Sequence, residues 1–216
     1  MEKIWFDDTT FIWKTKLNLF DNKNEIIKQA KRVEKSRYGA IHDGFGYLIT
    51  EDDKVLDIAS CGYQPLLDKI IKLSTNYCKE IYIENNKYNK LNTESWINIV
   101  RAKNPVQSSY KDRDVIGELS YHAHTEINKR LKSFFPHYTF VYYIQMPDVM
   151  NGDDGVLYFR GKNKKEYWIR PEEDDLIIME GDMPHAPNNA PNSTLDRIVL
   201  AGNVGFEFLK NFKSII

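Results

Sequence analysis

The chain has 216 residues, 42% hydrophobic and 13% aromatic, with 30 basic against 31 acidic side chains and a net charge of −1. That length and apolar content suit one domain with a buried core and exclude a disordered chain. The charge balance gives nothing to attract nucleic acid or an anionic membrane surface, and two cysteines, Cys61 and Cys78, are too few for a disulfide framework.

The opening MEKIWFDDTT carries early acids and no apolar run, so neither a secretory leader nor a membrane span is expected, and a cytoplasmic setting is the simplest reading. Residues 1–20 predict short strands around Trp5, Phe6, Phe11 and Trp13. Residues 22–37 predict a helix, with Ile26, Ile27, Ala30 and Val33 near three-to-four spacing. A second helix is expected from Gln64-Pro65 to about Lys79, Pro65 suiting its first turn.

From Ser95 the apolar period becomes two. Strands are expected at Trp96–Val100, Gly117–His124, Tyr138–Met146, Val156–Phe159, Glu166–Ile169, Asp175–Met179 and Thr194–Phe206. Turn signals such as Asn151-Gly152-Asp153-Asp154-Gly155 and Arg160-Gly161-Lys162-Asn163 separate them. Many short strands after two helices predict a mainly β, α+β protein. It would be a jelly roll with N-terminal helices packed on one sheet. The chain reads as a single domain over 1–216, with 1–92 as support and 93–208 as the β core.

The sharpest signal is His122-Ala123-His124-Thr125-Glu126, followed by His185 and Arg197. Non-haem iron(II) sites that activate oxygen use two imidazoles and a carboxylate on one face, with the other positions open. On an extended segment, residues two apart share a face. Either His124-x-Glu126 or His122-x-His124 could therefore supply two ligands, with His185 as the third. The preferred set is His124, Glu126 and His185, with His122 as a supporting neighbour or alternative ligand. A set of three imidazoles would leave the metal one unit more positive.

Arg197 shares a predicted strand face with Val199, Ala201 and Asn203. A guanidinium among such neighbours needs a partner, and a bidentate carboxylate would satisfy it. Arg197 is a candidate anchor for a dicarboxylate co-substrate, the alternative being an ion pair with an acid of the protein itself such as Glu118. Tyr142, Tyr143, Trp96, Asn98 and Asn203 are candidates to line the same pocket.

These motifs resemble the Fe(II)/2-oxoglutarate-dependent oxygenase superfamily, in particular its small prolyl-hydroxylase-like members from bacteria and phages. The matching pieces are Glu94–Ile99, His122-Ala123-His124, Phe140–Pro147, Gly155–Phe159, Pro171–His185 and Arg197–Asn203. The resemblance implies a double-stranded β-helix, iron(II), 2-oxoglutarate and O2. It also implies hydroxylation of a small-molecule or peptidyl substrate with release of succinate and CO2. Related small proteins often show His-x-His with no acid two residues later, and many place a serine where this chain has Val199. A cupin-like metalloprotein and a non-enzymatic binding or structural jelly roll are the competing readings. A homodimer is open to the chain.

Overall fold

The computed structural model describes residues 1–18, 23–24, 27–28, 72–73, 88–100, 121–124, 135–188, 190 and 192–208. Among them run nine strands: β1 (Glu2–Trp5), β2 (Phe11–Lys16), β3 (Tyr88–Val100), β4 (Phe135–Gln145), β5 (Leu157–Arg160), β6 (Glu166–Ile169), β7 (Asp175–Glu180), β8 (His185–Pro187) and β9 (Arg197–Phe208). They form a six-stranded sheet in the order β1-β2-β7-β4-β9-β3 and a three-stranded sheet in the order β6-β5-β8. Every pairing among them is antiparallel. The two strands read near the N-terminus join the large sheet rather than standing apart from the core.

Period-two alternation builds the space between the sheets. Ile12, Val141, Tyr143, Ile177, Met179, Val199 and Ala201 from the large sheet meet Leu157 and Phe159 from the small one. The other face of the large sheet is buried too, through Phe140, Tyr142, Leu176, Ile178 and Leu200. That explains why β4 and β7 read as near-continuous apolar runs: a strand covered on both sides has no polar face to show.

Turns hold the strand ends where the site needs them. At the start of β9, the Asp148 carboxylate accepts from the Ser193 hydroxyl (2.5 Å) and from the amides of Thr194 (2.7 Å) and Leu195 (3.1 Å). Gln145 donates its side-chain amide to the Asp196 carbonyl at 2.6 Å. Together these fix the entry of the strand that carries Arg197.

Two expectations need correction. The strand expected over Gly117–His124 does not run to its end. His122 makes a lone antiparallel bridge with His185, and the backbone turns helical at His124, whose N–H donates to the Gly181 carbonyl at 3.0 Å. The start of the last strand moves from Thr194 to Arg197, because Asp148 holds 193–195 as a turn. Lys23, Asn24, Ile27 and Lys28, and likewise Lys72 and Leu73, have helical backbone. Most of the two expected helices, and their packing on the sheet, lie outside the described residues.

Candidate metal centre

The small sheet sets two of the imidazoles side by side. His122 N–H donates to the His185 carbonyl at 3.1 Å, and His185 N–H returns the bond at 3.0 Å. A residue pair that exchanges both bonds points its side chains the same way. The turn at His124 then swings the third ring onto them. Ring centroids are 4.4 Å apart for His122–His185, 5.1 Å for His124–His185 and 5.2 Å for His122–His124. One ligand nitrogen from each lies within 4.8 Å of the others. Nitrogens sharing one metal at about 2.1 Å stand roughly 3–3.5 Å apart, so the rings need to close only slightly to hold an ion.

The donors also suit a metal in their protonation. Burial, then the neighbouring His122, lowers the His124 imidazole from its ordinary 6.5 to about 3, while Asn203 pulls the other way. His185 is pushed well below its ordinary value by burial, His122 and His124, opposed by the Met183 carbonyl. Both rings are therefore neutral near pH 7, the form that binds metal. The His185 Nδ1–H donates to the Met183 carbonyl at 3.0 Å, which leaves Nε2 as its ligand atom.

These shifts carry a stability consequence. Between about pH 6.5 and pH 3, the unfolded chain binds protons on His124 that the metal-free folded chain does not. Stability is then complete above 6.5 and falls as pH drops, by up to about 1.4 kcal/mol per pH unit for each such imidazole. Thermal unfolding in chelator should show the midpoint declining between pH 6.5 and 5, above the range where carboxylates titrate. A flat midpoint across that window would contradict the burial of neutral imidazoles.

Beyond the rings the sheets border a half-open cavity lined by the three histidines with Thr139, Val141, Tyr143, Leu157, Pro187, Arg197, Val199 and Ala201. Arg197 is buried, and its Nη1 donates to the Asn188 carbonyl at 2.9 Å. Burial pushes the Tyr143 phenol above its ordinary value against the pull of the Arg197 guanidinium, so it stays a neutral hydroxyl. Among the described residues no carboxylate lines this cavity.

The sequence candidates separate as follows. His122, His124, His185 and Arg197 come together in one cavity, as do Val199 and Ala201 on the face read for Arg197. Tyr142 is on the opposite face of β4, its hydroxyl donating to Asp174 at 2.7 Å; strand alternation gives its place in the cavity to Tyr143. Asn203 stands against His124 rather than in the cavity lining, with its Oδ1 2.6 Å from the ring Nδ1. Asn98 pairs with Val199 across β3 and β9. Glu126 lies outside the described residues. Thr139, Val141 and Leu157 were not singled out from the sequence; their signal is register, since Thr139 pairs with Asn203 and Val141 with Ala201.

No family model and no curated protein matches this chain. Solved structures do. A prolyl-4-hydroxylase from Pseudomonas putida is 11% identical with a TM-score of 0.52, the match covering 92% of each chain. A prolyl hydroxylase from Trichoplax adhaerens, solved with a hypoxia inducible factor peptide fragment, is 12% identical with a TM-score of 0.53, covering 90% of this chain and 83% of that one. A full-length protein from Neurospora crassa, solved in complex with alpha-KG, is 12% identical with a TM-score of 0.53, covering 94% and 75%. The two-sheet architecture is thus the fold of the prolyl hydroxylases and their oxygenase neighbours, as the motifs suggested.

Proposed function

We propose that this protein is an Fe(II)- and 2-oxoglutarate-dependent dioxygenase that hydroxylates a small-molecule or peptidyl substrate. The observation that carries the reading is the convergence of three buried or half-buried imidazoles in one cavity with a buried arginine. The likeness to solved oxygenase structures adds the fold.

In this reading His122, His124 and His185 hold iron(II), each through one ring nitrogen. Three neutral imidazoles leave both positive charges of the ion uncompensated, and Arg197 adds a third. A dicarboxylate fits that field: its 2-oxo acid end goes toward the histidines and its far carboxylate to the Arg197 guanidinium. Thr139 and the Tyr143 hydroxyl offer neutral hydrogen bonds on the way, and Val141, Leu157, Val199 and Ala201 keep water out. When bound, the iron supplies the oxidising power by which O2 and 2-oxoglutarate convert C–H to C–OH, with succinate and CO2 as co-products. The chain's own work is ligation, orientation and exclusion of water.

The test is succinate formation from 2-oxoglutarate by iron-loaded protein in air, alone and with a panel of proline-containing peptides. Iron-dependent succinate release, stimulated by a substrate, is the expected result. Protein that binds iron yet neither binds nor consumes 2-oxoglutarate would sink the reading in favour of another metalloprotein on the same fold.

A further inference from the structure

We propose that Asn203, steadied by Thr139, is the positioning residue that makes His124 a metal ligand. The inference rests on the metal reading above and adds a requirement specific to this chain. A carboxylate ligand presents an oxygen lone pair whichever way it turns. An imidazole ligand does so only in the correct tautomer: with the proton on Nε2, His124 would aim an N–H at the ion and could not bind it.

The surroundings of His124 select the other tautomer. Its Nδ1 lies 2.6 Å from the Asn203 Oδ1, and the Thr139 hydroxyl donates to that same oxygen at 2.9 Å. All three side chains are buried: His124 is 5% exposed, Asn203 2% and Thr139 0%. An amide oxygen accepts two hydrogen bonds, and the two donors aimed here use both lone pairs. The Nδ1–H is thereby held against Asn203 and Nε2 is left with its lone pair for the ion. His185 reaches the same state through the Met183 carbonyl at 3.0 Å. That acceptor is backbone; Asn203 is a side chain and can be changed. The register explains why Asn203 serves: Thr139 and Asn203 are direct partners across β4 and β9, and both stand on the inward face. Asn203 is thus joined through its strand to Arg197, six residues earlier. One strand orients a metal ligand at one end and anchors the co-substrate at the other.

The first readout needs no variant. Long-range proton–nitrogen correlation spectra of the metal-free protein, labelled on histidine nitrogen, report the tautomer of His124, assigned by its loss in His124→Gln. Protonated Nδ1 and bare Nε2 are expected. The second readout is anaerobic Fe(II) titration by calorimetry. Asn203→Leu should weaken iron about 10- to 100-fold and lose the tautomer preference, the usual cost of removing a ligand's hydrogen-bond partner. Asn203→Asp, which keeps an acceptor, should restore both. A proton on Nε2 in the wild type overturns the inference, as does folded Asn203→Leu binding iron as tightly as the wild type. Wild-type protein that binds no iron would instead overturn the metal reading and this inference together.

Discussion

Replacing His185 by alanine is expected to weaken Fe(II) binding by roughly 100- to 1,000-fold and to remove iron-dependent turnover of 2-oxoglutarate. The size follows from sharing a site's binding energy among its donors. Closed sites of four ligands hold zinc with roughly 10–16 kcal/mol, or about 2.5–4 kcal/mol for each ligand. His185 is 4% exposed, neutral and fixed at Nδ1, so little of that share is lost to desolvation or rotation on binding. The substitution removes a buried ring but keeps the backbone bridge between His122 and His185, whose two N–H···O bonds do not involve side chains. Circular dichroism should therefore show the sheets intact while calorimetry shows the iron lost. A folded variant that keeps wild-type iron affinity would remove His185 from the ligand set.

Arg197→Leu is the complementary case: iron is retained and 2-oxoglutarate is lost. Truncating one member of a buried, hydrogen-bonded charge pair costs about 2–5 kcal/mol, which is about 30- to several-thousand-fold in affinity. The guanidinium is 5% exposed and held on one side by the Asn188 carbonyl at 2.9 Å, so its geometry is set before any ligand arrives. Arg197→Lys should fall between the two, because an ammonium keeps the charge but not the planar fork. Titrating 2-oxoglutarate into the iron-loaded variants separates the cases. Equal iron affinity with weakened co-substrate is the expected pattern; unchanged co-substrate binding would assign Arg197 a purely structural role.

How much of this was legible in the sequence depended on which physical rule was needed. Alternation along one strand sufficed to put Arg197, Val199 and Ala201 on a shared face, and the sheet bears that out. Alternation cannot relate one strand to another. Choosing Tyr143 over Tyr142 required knowing that Tyr143 pairs with Val199 across β4 and β9. The strand expected to run through His124 stopped short for a different reason. The Gly181 carbonyl captures the His124 amide, and the backbone turns just where the pattern continued. That turn brings His122, His124 and His185 into ligand reach of one another, with His122 inside the group rather than beside it. Asn203 carried a visible polar signal in an apolar strand, but its partner is 79 positions away in sequence and no local pattern could name it.

A set of three imidazoles, in place of two and a carboxylate, also bears on affinity. A metal held by three neutral rings presents its full double charge to the cavity, and no acid lines that cavity among the described residues. Dianionic 2-oxo acids should accordingly bind the iron-loaded protein more tightly than monoanionic ones of the same length, and the difference should shrink as salt rises.

Anaerobic absorption titration tests the central claim most directly. Metal-free protein is given Fe(II) alone, 2-oxoglutarate alone, and then both. A weak visible charge-transfer band that needs both components, and that disappears in His185→Ala, is the expected result. Absence of any such band from folded protein saturated with both would contradict the assignment of these three histidines and Arg197 to a single iron and co-substrate site.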